Sequence, residues 1–354
     1  MSDETAFLAS LMDSSARWIS GKGPEAHIVL SSRIRLARNI TDIPFPNRSD
    51  PGVLEKVKDH ARELTEKASL LKSLSVVDLD RLGPLDREFL VERHLISREF
   101  AHGHGRLLLA DEEERVAIMV NEEDHFRFQT LRSGLDIFEA WQVMRGIERE
   151  VDRHVSFAYK HPYGYLTSCP TNLGTGLRVS TLCHVPALGI TNQMNDVVNM
   201  ANQLGIAVRG FYGEGSNAVG NFVQFSNKAT LGQSEDEILG ELEGWARQII
   251  ERENKARERI QKESIVQLED KVHRALGILT SARILDSGEM MNLMSFLRLG
   301  LDLGIVQEPS KMTLNRIQLS AQPAHLQKFK KKNLTPVERD EARAEYVRGS
   351  LFGE

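Results

Sequence analysis

The sequence predicts an α+β protein, an antiparallel sheet flanked by helices, followed by an all-helical C-terminal domain. Strand-length apolar runs, GRLLLAD, RVAIMVN and FRFQTLR, succeed one another with only short polar turns between them, which suits antiparallel pairing. Beyond about residue 232 strand patterns cease and helical period continues to the end, a composition shift that marks a domain boundary. A chain of 354 residues with 41% apolar content can bury a sizeable core, here in two parts.

Residues 5–20 (TAFLASLMDSSARWIS) suit a short amphipathic helix, which GKGPE breaks. HIVLSSRIRLARNI alternates as a strand with arginines on its polar face. A charged helix follows Pro51 over about 52–70, and PLDREFLVERHL is a second. After the three consecutive strands, LDIFEAWQVMRGIEREV is an amphipathic helix. VSFAYK, GYLTSC, LRVSTLCHV, IAVRGFYG and NFVQFSN follow as strands, with a helix over NDVVNMANQLG among them. The remainder is helical, from SEDEILGELEGWARQIIERENKARERIQ through QLEDKVHRALGILTSARIL and GEMMNLMSFLRLGLDLG to PVERDEARAEYVRGSLF, with the lysine run at 328–332 as a solvated linker. The expected organisation is an N-terminal helical segment 1–24, a catalytic domain 25–256 and a helical domain 257–354.

A net charge of -5 and a pI near 6.2 argue against a general nucleic-acid or membrane-surface binder, while leaving room for a local arginine-lined anion site. No cleavable leader and no apolar stretch approaching ~18 residues is present, so a cytoplasmic location is expected. Two cysteines, Cys169 and Cys183, make neither a disulfide framework nor a metal site.

The chemistry concentrates in four stretches. NEEDHFR, residues 121–127, sets Glu122, Glu123 and Asp124 in a row after a strand, followed by His125 and Arg127. Mutual repulsion makes such a run either a solvated turn or a place where a cation is expected. SSRIRLARN puts Arg33 and Arg35 on one face of a strand. SCPTNLGTGLR carries Cys169 before a glycine-containing turn and Arg178 after it, and VRGFYGEGSNAVGN offers Arg209 and Glu214. Singly, each has a bland reading as surface or turn. Together, several arginine forks suit a triphosphate, whose charge they offset during phosphoryl transfer. GxxxxGK[ST] is absent, so the phosphates would be held by guanidinium groups rather than by a P-loop.

In this order and at these separations, SSRIRLARN, NEEDHFR, CPTNLGTGLR and RGFYGEG resemble the phosphagen (guanidino) kinases, and the likeness is greatest to the bacterial protein-arginine kinases, running from about residue 5 to the C-terminus. The resemblance implies ATP as a substrate, with Mg2+ held mainly through its phosphates and by no protein metal site. It implies three nucleotide-binding segments: Ser31, Ser32, Arg33, Ile34 and Arg35; then Arg178, Val179, Ser180, Thr181 and Leu182; then Arg209, Gly210, Phe211, Tyr212, Gly213 and Glu214. His94 matches the histidine packed on the adenine, and Arg127 a further phosphate arginine. Glu123 matches the carboxylate that orients and deprotonates the substrate guanidinium, Glu214 its partner, and Cys169 the thiol beside it. Leu182 stands where small-molecule relatives commonly carry His, and Asn217 replaces an acidic residue; neither touches the expected transfer step.

Small-molecule relatives carry a separate helical domain before the SSR segment, for which about thirty residues are too few. An open site and the extra helical C-terminal part favour a protein arginine as acceptor. A small-molecule guanidino kinase and a non-catalytic phosphoarginine reader are the alternatives. RDEARA resembles an allosteric phosphoarginine motif made by Arg339, Asp340, Arg343 and Ala344. By resemblance the partners are protein substrates with exposed arginine, a second copy in a homodimer, a zinc-binding activator protein, a Clp-type AAA+ unfoldase for degradation of marked proteins under stress, and a heat-shock repressor. Neither nucleic acid nor a membrane is expected as a direct partner.

Overall fold

The computed structural model describes residues 3–210 and 219–352. Helix α1 (Asp3–Asp13) stops well short of residue 20, and a separate 3-10 turn forms at Arg17–Ile19. A continuous helix would keep Phe7, Leu11 and Trp18 on one stripe. The break instead sends Phe7, Leu8 and Leu11 into one apolar cluster and Trp18 and Ile19 into another.

Strand β1 (Val29–Arg38) precedes α2 (Pro51–Lys67), which opens with Pro51 and with Asp50 accepting from the Val53 N–H at 3.0 Å. Then come β2 (Ser75–Asp78), α3 (Pro84–Glu92), α4 (Arg98–Ala101), β3 (Leu107–Ala110), β4 (Val116–Val120), β5 (Phe126–Ser133) and α5 (Ile137–Asp152). The two strands expected over 155–160 and 164–169 shrink to β6 (Tyr159–Lys160) and β7 (Gly164–Tyr165), since their neighbours bond instead to the end of β1: the Ala158 N–H donates to Asn39 O at 2.8 Å. β8 (Leu177–His184), α6 (Pro186–Ile190), α7 (Met194–Gln203), β9 (Ile206–Gly210) and β10 (Phe222–Asn227) complete the sheet region.

Eight strands form one antiparallel sheet in the order β2-β3-β4-β5-β1-β8-β10-β9. On one face Ile34, Leu36, Phe126, Phe128, Val179, Val223 and Phe225 belong to the main core. The opposite face is apolar only at its β2–β4 end, where Val77, Leu108, Ala117 and Met119 pack with residues of α1, α3 and α4. Over β5, β1, β8, β10 and β9 that face mixes arginine, serine and glutamine with Leu131, Leu182 and Phe222.

The helical region comprises α8 (Glu235–Glu263), α9 (Ile265–Ser281), α10 (Ser287–Asp302), α11 (Lys311–Ser320), α12 (Pro323–Lys330) and α13 (Pro336–Leu351). α8 begins with a Ser234–Glu237 capping box and continues unbroken through residue 256. The lysine run is no linker: Lys328 and Lys330 end α12, and the Lys328 ammonium pairs with Asp86 at 2.5 Å and lies 5.0 Å from the Phe89 ring centre. Sheet and helical regions share one apolar cluster that runs from Ala16 to Leu351, with polar ties such as His184 Nε2 to Ser295 Oγ at 2.9 Å between them. Among the described residues no helix is long and apolar enough to cross a membrane.

Candidate active site

Strand register decides which side chains meet. Directly opposed residues of an antiparallel pair share a face. Arg33 stands opposite Leu131 on β5 and Ser180 on β8; Arg35 stands opposite Gln129 and Arg178; Ala37 stands opposite Arg127. Leu182 opposes Gln224 on β10, which in turn opposes Arg209 on β9. The five arginines singled out in the sequence therefore all rise from one face of the sheet. Ser31, Ser180 and Leu182 share it, whereas Ser32, Ile34, Val179 and Thr181 turn to the other; Ser32 Oγ, for instance, donates to Gly134 O at 2.8 Å.

Among the described residues, neutral groups serve as hydrogen-bond partners of Arg33 and Arg178. Arg33 donates to Gln224 Oε1 at 2.9 Å and to Ser180 Oγ at 3.4 Å, and Arg178 donates to Ser226 Oγ at 3.4 Å. Burial, then the charges of Arg127, Arg178 and Arg209, bring the Arg33 guanidinium down to about 9. Burial and the neighbouring Arg33, Arg127 and Arg178 hold Arg35 well below its ordinary value, and its Nε has no hydrogen-bond partner among the described residues. Guanidinium groups that suppress one another's charge describe a site complementary to a polyanion. Arg127 differs. Burial lowers it, but the ion pair with buried Glu122, which also accepts from Ser97 Oγ, outweighs burial and raises it.

At the Ser31 end of β1 the face runs into a cavity lined by Trp18, Ser31, Arg33, His94, Leu131, Ser180, Leu182 and Gln224. Trp18 and His94 meet edge to face, 5.1 Å between ring centres. Gln129 holds the His94 carbonyl at 2.7 Å, and burial, with Arg33 nearby, pushes the imidazole down to about 3, so it is neutral. A cavity walled by Trp18, His94, Leu131 and Leu182, with Arg33 beside them, suits a nucleobase. Leu182 thus lines this cavity, a position the sequence reading did not give to its departure from His.

At the Ala37 end lies the 121–125 turn. Its three carboxylates separate: Glu122 and Asp124 are buried and Glu123 is exposed. Asp124 Oδ1 accepts from Asn39 Nδ2 at 2.6 Å and from the Ser168 N–H at 2.7 Å, which ties this turn to the Cys169 segment. His125 is a strut. The Ile40 N–H donates to its Nδ1 at 3.0 Å, leaving the proton on Nε2 for Pro44 O at 2.9 Å, and burial lowers its pKa to about 4. Partial desolvation, together with Glu122 and Asp124, pushes the Glu123 carboxyl above its ordinary value against the pull of Arg127. Cys169 is partly exposed, its Sγ 3.0 Å from Thr171 Oγ1. The loop after it needs glycine: at Gly174, with φ +104°, a Cβ would lie 2.4 Å from Thr230 O.

Gly210 ends β9, while Phe211, Tyr212, Gly213, Glu214 and Asn217 lie outside the described residues. Far from this face, Arg343 is buried in α13, donating to Ala321 O at 3.0 Å, to Leu285 O at 2.8 Å and to Asp340 Oδ1 at 2.6 Å. Asp340 and Arg343 are thus brought together, but onto each other; Arg339 is half-buried and Ala344 buried. Trp18, Gln224 and the Glu122 anchor are site residues that the sequence reading missed. Trp18 sat in an apparent helix, and the roles of the other two depend on strand register. Among the described residues no three His, Cys, Asp or Glu side chains are grouped to hold a metal ion.

Comparison with known proteins shows the family. Residues 53–256 match the ATP:guanido phosphotransferase C-terminal catalytic domain, and residues 265–353 match the protein-arginine kinase McsB C-terminal domain. The protein-arginine kinase of Halothermothrix orenii is 43% identical over 337 residues, covering 95% of this chain and 96% of its own. That of Symbiobacterium thermophilum is 45% identical over 340 residues (95% and 96%), and that of Bacillus subtilis 41% over 345 residues (96% and 94%). Among solved structures, lombricine kinase superposes with a TM-score of 0.58 at 25% identity, covering 67% of this chain and 68% of its own. The duplicated taurocyamine kinase of Schistosoma mansoni with bound transition-state-analogue components reaches 0.60 at 19% identity, over 84% and 50%, a likeness of fold alone. With both parts of the chain matched and the likeness running nearly end to end, the chain belongs to the protein-arginine kinase family.

Proposed function

We propose that this chain transfers the terminal phosphoryl group of ATP to the guanidinium of arginine side chains in proteins. The observation that carries the reading is the order along β1: a cavity walled by Trp18, His94 and Leu182 at Ser31, arginines at 33, 35 and 178, then Arg127 and the turn bearing Glu123 at the level of Ala37. Six residues of strand span about 20 Å at ~3.3 Å each, the scale of an extended nucleoside triphosphate.

ATP supplies the phosphoryl group, and magnesium bound with it neutralises part of the triphosphate charge. His94 and the apolar cavity wall receive the base. Arg33, Arg35, Arg178 and Arg209 take the non-transferred phosphates, while Arg127, fixed by Glu122, faces the group in transit. A free guanidinium is protonated and a poor nucleophile. Glu123 accepts its N–H groups, sets its plane and takes a proton as the nitrogen–phosphorus bond forms and the bond to the ADP oxygen breaks. Glu214 is the second clamp, and Cys169 borders the acceptor nitrogen. The exposure of Glu123 suits an acceptor that arrives on a polypeptide.

Further parts of the proposal rest on the family likeness. The helical region forms a homodimer and carries a phosphoarginine-responsive site at Arg339, Asp340, Arg343 and Ala344. The marked proteins go to a Clp-type unfoldase during stress, with a zinc-binding activator and a heat-shock repressor as further partners, in the cytoplasm. An ATP-turnover assay with an arginine-rich protein against free L-arginine tests the central reading. Transfer to the protein is expected, and turnover with free arginine alone would reject it.

A further inference from the structure

Trp18 borders two cavities. One is the base cavity already described. The other, behind it, is lined by Trp18, Ile19, Leu30 and Glu92 together with Asn315, Gln318, Leu319 and Gln322 of α11 and the turn after it. α11 is fastened to the Trp18 segment: Asn315 Nδ2 donates to Ile19 O at 2.7 Å, Asn315 Oδ1 accepts from Arg298, and Arg298 donates to Ala26 O at 3.2 Å. Gln318 is 6% exposed, and its Nε2 has no hydrogen-bond partner among the described residues. The indole is 2% exposed, so its position is set by what packs on its two sides.

We propose that Trp18 is a base-recognition residue, one wall of the nucleotide cavity, and that α11 of the helical region positions it. The inference rests on the nucleotide reading of that cavity. Trp18 and His94 stand perpendicular, so a planar base can stack on one ring while its edge meets the other. With His94 neutral and Arg33 directed to the phosphates, the indole is the largest ring in the cavity lining. Because α11 backs that wall, base affinity depends on a helix roughly three hundred residues further along the chain.

The test separates base from phosphate recognition. In Trp18→Leu the KM for ATP is expected to rise about tenfold or more, the size of one lost base–aromatic stack. Inhibition by tripolyphosphate, which has no base, should keep the parent's Ki, and the effect should sit in the ATP KM rather than in kcat. Trp18→Phe, which keeps an aromatic wall, should recover most of the affinity. Quenching of tryptophan fluorescence by ATP should fall in that variant, with Trp141 and Trp245 remaining. Gln318→Leu is expected to raise the ATP KM several-fold with the tripolyphosphate Ki unchanged. Equal loss of ATP and tripolyphosphate binding in Trp18→Leu, or an unchanged ATP KM, overturns the role of Trp18; an unchanged ATP KM in Gln318→Leu overturns that of α11. If the parent binds neither compound, the nucleotide reading itself fails.

Discussion

Glu122, Glu123 and Asp124 are adjacent in sequence, yet their surroundings give them separate tasks. Glu122 is spent on Arg127 and Ser97, Asp124 on Asn39 and the Ser168 N–H, and Glu123 alone reaches solvent. Glu123→Gln is therefore expected to lower phosphoryl transfer by ~10² to 10⁴ while ATP still binds; a folded variant with near-normal turnover would remove the residue from the chemistry. Its raised pKa sets a direction as well. The base works ionised, so kcat/KM should fall on acidification with an apparent pKa above the ordinary carboxylate range, and an acid limb below that range would contradict the assignment. The cysteines give a second prediction. Cys183 is fully buried, and burial pushes its thiol up to about 12, whereas Cys169 is partly exposed in the loop tied to the Glu123 turn. Brief alkylation followed by mass spectrometry should label Cys169 first, more slowly with ATP present; label on Cys183 first would reject this. The paired arginines were legible because side chains two apart in a strand share a face whatever the fold. Gln224 was not, because nothing local tells which strand will lie beside β8.

At the scale of elements, α13 shows how a motif visible in sequence acquires structural work. The Arg343 fork holds the carbonyls of Ala321, at the end of α11, and of Leu285, before α10. Arg343→Ala strands both carbonyls and should destabilise the protein by about 3 kcal/mol. Asp340→Ala removes one partner of three, so a smaller fall in Tm is expected, with basal transfer retained and stimulation by added phosphoarginine lost. Stimulation equal to the parent's would leave the motif a structural one. Long elements were read well: α5, α8, α9, α10 and α13 carry whole turns of amphipathic pattern, whereas the shorter α11 and α12 were not singled out. Short ones failed for a physical reason. β2 contributes four residues, SVVD, too few for a period, and exists because β3 offers it an edge. The lysine run looked like a linker because three of its charges face water, while Lys328 at its start folds back onto Asp86.

For the molecule as a whole, burial of neutral histidines links stability to pH. His94 and His125 are lowered to about 3 and about 4, His184 lies well below its ordinary value, and His325 is lowered too, burial being the first cause in each. Below an unfolded value near 6.5 the unfolded chain takes up protons that the folded one refuses. Stability is then fully present above that pH and is lost as pH falls toward the folded values, by up to ~1.4 kcal/mol per pH unit for each such group. Buried Glu114, Glu253 and Asp124 are raised and act in the opposite sense at lower pH. Thermal melts should show a level Tm above about pH 7 and a decline below about 6.5; a Tm that rises over that interval would contradict the reading. Since sheet and helical regions share one core, the decline should appear as a single transition.

The face of like charges on β1, β5, β8 and β9 has a consequence for the life of the molecule between turnovers. Arg33 and Arg35 are buried beside like charges, so a bound polyanion is expected to stabilise the enzyme. Any compact polyanion relieves the repulsion, and a ligand at one hundred times its Kd adds about 2.7 kcal/mol. Pyrophosphate should thus raise Tm well beyond sodium chloride of equal ionic strength, and equal effects would show that general screening suffices. Nucleotide supply then sets how long an idle molecule survives as well as how fast a busy one works, and depletion of ATP would leave the kinase itself exposed to unfolding.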